Sequence, residues 1–133
     1  VLVVGPEVVE WVAKRVNEHG NFGAAQGIGW AKDDKLVAGV VYNEYNGPNI
    51  CMHVASDGSK RWMTRDFLRV AFDYPFNVCE VSRITGLVGE GNAEARRFDE
   101  HIGFKLETRL VGAHPTGDLL VYVMRRDDCR WIR

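Results

Sequence analysis

Between Asn49 and Val88 the apolar pattern changes period twice, and that change restricts the folds open to this chain. Asn49 to Ala55 reads as a strand. From Arg61 to Tyr74 the period becomes helical, with Met63, Phe67, Val70, Ala71 and Tyr74 at i, i+4, i+7, i+8 and i+11. Trp62, Leu68 and Phe72 add a second apolar stripe, so this helix is expected to be buried on more than one side. Pro75 is expected to end it, because proline breaks the backbone ladder. Val81 to Val88 then returns to a strand. A strand, a helix and a strand in succession make the two strands parallel neighbours in one sheet.

The flanking segments extend this unit. Gly5-Pro6-Glu7 opens a first helix, with Pro at the position where a missing N–H costs nothing. Val8, Val9, Val12, Ala13 and Val16 form its apolar stripe, and His19-Gly20 is expected to close it. Ala24 to Ala31 and Leu36 to Tyr45 read as strands joined by the polar turn Lys32-Asp33-Asp34-Lys35. With Asn49 to Ala55 they make an antiparallel meander. Asn92 is a good N-cap for a helix over Ala93 to Ile102, which Gly103 stops. Phe104, Leu106, Thr108 and Leu110 alternate with charged residues, the pattern of a half-buried strand. His114-Pro115-Thr116-Gly117 is a turn, and Asp118 to Arg125 is a last strand. The order α, βββ, α, β, α, ββ predicts an α+β fold: one mixed sheet with helices on both faces, in a single domain over residues 1–133.

Composition removes several function classes. The chain has 133 residues with 17 Lys and Arg against 18 Asp and Glu, which argues against a general nucleic-acid binder. The longest apolar run, Leu36 to Tyr42, is far short of the ~18–20 residues that span a bilayer. No basic stretch followed by an apolar run and a cleavage site is visible, so no secretory leader and no membrane association are expected. Cys51, Cys79 and Cys129 are too far apart for a disulfide framework, which suits reduced thiols and a cytoplasmic location. The four histidines lack HxxxH or HExxH spacing, so no metal site is expected. Cys51 and His53 point to one face of a strand with Cβ atoms ~7 Å apart, too far for a nucleophilic dyad.

One segment carries more information. Asn92-Ala93-Glu94-Ala95, then Phe98, then the closing Gly103-Phe104 resembles the Asn-x-x-Ala helix of the GNAT superfamily of acyl-coenzyme A-dependent N-acyltransferases. The element order is similar to that family over nearly the whole chain, and looks closest to its short phage- and prophage-encoded members. The resemblance implies a GNAT-like fold, acetyl-coenzyme A as co-substrate, an amine acceptor and pairing of two copies into a homodimer through the last strands.

It also implies site residues. The loop Ser56-Asp57-Gly58-Ser59-Lys60-Arg61 would hold the coenzyme A pyrophosphate on the amides of Gly58, Ser59, Lys60 and Arg61, with the two cations adding charge. The family's glycine-rich phosphate loop is absent here. Asn92 would touch the pantetheine arm. The strand carrying Val54 and Ala55 would splay from its parallel neighbour and offer backbone groups to that arm. The amide near Val54 would polarise the thioester carbonyl. Asp99 stands where the family usually places a tyrosine acid, and an ionised aspartate donates no proton unless desolvation raises its pKa. His53, for its intrinsic pKa, and Tyr122 are the substitutes expected to carry proton transfer, with Glu44 behind them. The altered loop and Asp99 equally suit a GNAT-fold binding or structural module that has lost catalysis.

Overall fold

The computed structural model describes residues 1–16, 22–59 and 62–133. Its centre is a seven-stranded sheet in the order β1-β2-β3-β4-β5-β7-β6. The strands are β1 (Leu2–Val4), β2 (Ala25–Lys32), β3 (Lys35–Asn43), β4 (Asn49–Ser56), β5 (Arg83–Gly89), β6 (Lys105–His114) and β7 (Gly117–Arg125). Only β4 and β5 run parallel; every other pair is antiparallel. The helices are α1 (Pro6–Val16), α2 (Arg65–Asp73) and α3 (Ala93–Ile102).

Helix α1 packs on one face, the only helix there among the described residues. Val8 and Val12 pack with Val41 and Ala55, and the helix comes so close that Gly39 leaves no space for a side chain. A β-carbon there would stand 2.6 Å from the Val12 Cγ2. The larger core lies on the other face, where Phe67, Leu68, Ala71 and Phe72 of α2 meet Val40, Tyr42, Ile50, Met52 and Ile84. The Tyr42 hydroxyl donates to the Ala71 carbonyl and ties α2 to β3. Helix α3 covers β5 and β7 on this same face, through Phe98 and Ile102.

The mixed sheet with helices on both faces is therefore as the order of elements predicts, with four local differences. A three-residue strand, β1, pairs with β2; three residues are too few to show alternation. Helix α2 begins at Arg65 rather than Arg61, because the Thr64 side chain accepts from the Phe67 amide and caps it there. Pro75 does not stop that helix: Tyr74–Val78 continue as one π-helical turn, closed by the Cys79 amide on the Tyr74 carbonyl. Strand β6 is an exposed edge rather than half-buried, with Leu106 at 49% and Leu110 at 44% exposure. Among the described residues nearly all of it is exposed, and its register against β7 shifts between Leu106 and Thr108. The expected stop of α1 at His19-Gly20 lies outside the described residues.

Past β7 the chain turns back. The Trp131 indole donates to the Ile102 carbonyl and Arg130 to the His101 carbonyl, so the tail satisfies orphan groups at the end of α3.

Candidate active site

The parallel pair β4/β5 is short. Asn49, Ile50 and Cys51 pair with Arg83, Ile84 and Thr85, and there the ladder ends, although both strands continue. The phase of each strand follows from its other neighbour. The Asp57 amide bonds the Val37 carbonyl at 2.9 Å. Alternate residues of an antiparallel strand bond the same partner. His53 and Ala55 therefore turn their backbone groups to β3, while Val54 and Ser56 turn theirs toward β5.

On β5, the bonds Arg126 N–H to Ser82 carbonyl and Glu90 N–H to Asp118 carbonyl set the even residues against β7. Leu87 therefore faces β4. The register between β4 and β5 ends at Cys51 and Thr85, short of Val54, Ser56 and Leu87. The two strands open into a wedge beyond Cys51 and Thr85, with peptide groups of both along its sides.

Gly86 is the first residue of β5 past the last pair. A β-carbon at Gly86 would lie 3.5 Å from the Asp99 Oδ2, so α3 sets this carboxyl against β5 one residue past its last pair with β4. Burial, with Glu100 adding like charge, pushes the Asp99 carboxyl up to about 7. The sequence leaves open whether desolvation raises this carboxyl; burial, which is tertiary, does so here.

The wedge is roofed on the helix face. Trp62, in the loop leaving β4, meets Phe98 of α3 at 5.6 Å between ring centroids, and Phe67 of α2 at 5.9 Å. The Trp62 indole donates to the Ser59 carbonyl at 2.8 Å, which fixes the ring. Trp62 counted in sequence only as part of an apolar stripe, and nothing local marks it as the roof.

The residues expected to carry proton transfer are placed elsewhere. The His53 ring lies on the α1 face, 4.6 Å from the Phe22 ring, with Nε2 2.9 Å from the Asn43 Oδ1. Asn43 donates its Nδ2 to the Phe22 carbonyl, so its Oδ1 accepts and His53 Nε2 carries the proton. Burial lowers His53 to about 4, which makes it a neutral packing residue and a weak base. Tyr122 is wholly buried on β7, and its hydroxyl donates to the Glu100 Oε2 at 2.7 Å. Desolvation first, then Glu100, raises its pKa. Its hydroxyl belongs to a Glu100 and Arg96 cluster, one strand away from the wedge.

The expected binding residues divide likewise. Val54 has its backbone in the wedge. Ala55 does not: its backbone pairs with β3 and its side chain packs under α1. In the loop, Gly58 N–H donates to Ser56 Oγ and Ser59 N–H to Asp57 Oδ1, so both amides already have acceptors. The Ser59 hydroxyl oxygen is buried with no hydrogen-bond partner among the described residues. Lys60 and Arg61 lie outside the described residues. Asn92 is the N-cap of α3, its Oδ1 accepting from the Ala95 amide at 3.1 Å. Among the described residues no group of His, Cys, Asp and Glu could hold a metal ion, and no helix is long and apolar enough to cross a membrane.

Solved structures share this architecture. Two variant forms of the spermidine N-acetyltransferase SpeG from Vibrio cholerae superpose with TM-scores of 0.76 and 0.73, at 14% and 16% identity. The first match covers 100% of this chain and 96% of that one, the second 96% and 95%. The GNAT-family acetyltransferase from Bacillus anthracis follows at TM-score 0.68 and 17% identity, covering 95% of both chains. The fold is the GNAT fold. No protein-family model matches the sequence, and no curated protein matches it. At such identities the likeness establishes the architecture, and the chemistry has to come from the site.

Proposed function

We propose that this protein is a single-domain N-acetyltransferase that moves an acetyl group from acetyl-coenzyme A to a primary amine by direct attack on the thioester. The observation that carries the reading is the wedge between β4 and β5. Beyond the last pair, the peptide groups of Val54 and Leu87 turn toward the opening, which is what an amide-bearing arm such as pantetheine needs in order to add itself as a strand. The neighbours that share this fold include spermidine N-acetyltransferases, which supports the same reaction class.

In this reading the Val54 amide donates to the thioester carbonyl and stabilises the charge that develops there. Holding the amine and the thioester together supplies several kcal/mol more of the barrier reduction. Lys60 and Arg61 add charge for the phosphates, and Asn92 borders the arm. The N–H groups of Gly58 and Ser59 join them only by exchanging their bonds to Ser56 and Asp57. Spermidine is the first acceptor to try, because the neighbours act on it.

A second reading has its own observation. The Trp62–Phe98 contact spans the wedge on the helix face, so an arm entering from that side must part the two rings. A protein that keeps them together is a GNAT-fold binding or structural module without turnover.

Calorimetry with acetyl-coenzyme A and desulfo-coenzyme A, followed by an amine panel, separates the two. Micromolar binding with turnover is the expected result. Binding without turnover supports the module, and no binding at millimolar ligand overturns both the coenzyme A site and the transfer.

A further inference from the structure

We infer that Asn49, Arg83, Thr85 and Glu107 form a clasp that fixes where β4 and β5 part, and so sets how deep an acyl group reaches between them. The clasp itself stands on hydrogen bonds; its effect on the acyl group rests on the acyl-transfer reading above. Asn49 Oδ1 on β4 accepts from two donors on β5, the Thr85 hydroxyl at 2.6 Å and the Arg83 Nε at 3.2 Å. Arg83 Nη2 also donates to Thr85 Oγ1 at 3.1 Å. These side chains close a triangle over the same stretch, Asn49 with Arg83 to Cys51 with Thr85, that makes up the parallel ladder.

The guanidinium is held from its far side as well. Its Nη1 and Nη2 donate to the two oxygens of Glu107 at 2.9 and 2.8 Å, a bidentate pair that fixes the plane of the fork. Glu107 is the extra residue where the register of β6 against β7 shifts between Leu106 and Thr108. A bulge re-aims a side chain, and this one reaches past β7 to β5. Arg125 of β7 stands 3.6 Å from the same carboxylate.

Past Cys51 and Thr85 the same face changes character. The next residue there on β4 is His53, whose ring bonds Asn43 of β3 instead. The next on β5 is Leu87, 43% exposed and with an apolar side chain. The ladder ends where this polar tie between the strands ends.

Val54 lies beyond Cys51 by ~10 Å of strand. An arm that enters past Ser56 and sets its thioester at the Val54 amide points its acyl group toward the closed Cys51–Thr85 pair. An acetyl group stops short of that floor, and a long acyl chain meets it. The clasp residues touch neither thioester nor amine in this arrangement, so their role is positioning.

The test uses three variants. Thr85→Val removes the hydroxyl and keeps a branched strand residue, Thr85→Ser keeps the hydroxyl, and Arg83→Gln removes the fork. The Met52 amide turns to β5 beside the last pair, so its hydrogen exchange reads the clasp with no ligand present. Thr85→Val and Arg83→Gln speed that exchange about 10-fold relative to the amides of β2 and β3, and Thr85→Ser holds it near wild type. No acceleration at Met52, or an equal one in β2 and β3, overturns the clasp.

Calorimetry with acetyl- and octanoyl-coenzyme A reads the depth. Wild type binds the acetyl form the more tightly, Thr85→Val narrows the gap about 10-fold, and Thr85→Ser keeps it. An unchanged gap in Thr85→Val overturns the depth assignment and leaves the acyl-transfer reading standing. Failure of the wild type to bind either ligand overturns that reading and the depth assignment together, while the exchange result still decides the clasp.

Discussion

His53 and Asp99 stand on opposite faces of the sheet, and burial pushes each toward its uncharged form, His53 down to about 4 and Asp99 up to about 7. Their effects on stability have opposite signs. The unfolded His53 takes up a proton below about 6.5 while the folded one does not, so its contribution is lost as pH falls from about 6.5 to 4. The unfolded Asp99 ionises above about 4 while the folded one stays protonated to about 7, so its contribution is lost as pH rises through that window. At ~1.4 kcal/mol per unit, His53 is worth at most about 3.5 kcal/mol and Asp99 at most about 4.5 kcal/mol.

Between pH 4 and 6.5 the two slopes oppose one another. Relative to wild type, Asp99→Asn should gain stability with rising pH, and His53→Gln should lose it. Urea unfolding at half-unit pH steps measures both. An Asp99→Asn profile parallel to wild type would show that the carboxyl is not buried as described.

The Tyr122 hydroxyl faces Glu100 rather than the wedge. Tyr122→Phe should therefore lower stability by about 1 kcal/mol, the worth of one hydrogen bond, and leave coenzyme A affinity unchanged. A loss of turnover larger than tenfold at full occupancy would return Tyr122 to the chemistry.

Asn92 caps α3 and has a proposed contact to pantetheine. Asn92→Ala should cost about 1 kcal/mol of stability through the lost cap. Asn92→Ser keeps the cap and should still weaken coenzyme A binding; equal affinity would leave Asn92 a cap alone.

The approach of α1 to the sheet depends on Gly39. Gly39→Ala would drive a methyl to within 2.6 Å of the Val12 Cγ2 and 3.0 Å of the Val8 Cγ1. Overpacking of this kind costs about 1–3 kcal/mol. Gly91→Ala, with nothing within 4 Å, is the control and should change stability by less than about 0.5 kcal/mol. Thermal melts of the two proteins decide it.

What could be read from residues alone was what neighbours along the chain settle. Helix α3 is the clearest case: the Asn92 cap, the apolar positions Ala95, Phe98 and Ile102, and a left-handed Gly103 act within a dozen residues. Where a local signal competed with another, the reading slipped. Thr64 outranked the earlier apolar stripe as the start of α2, and a π-turn absorbed Pro75.

Sequence determined that β4 and β5 are parallel neighbours, because a helix between two strands leaves little alternative. It could not determine where they part, since that depends on how α2 and α3 pack above them and on their outer partners β3 and β7. The charge of Asp99 and the neutrality of His53 belong to the same class. Both come from the solvent that distant residues exclude, and only the assembled fold specifies which residues those are.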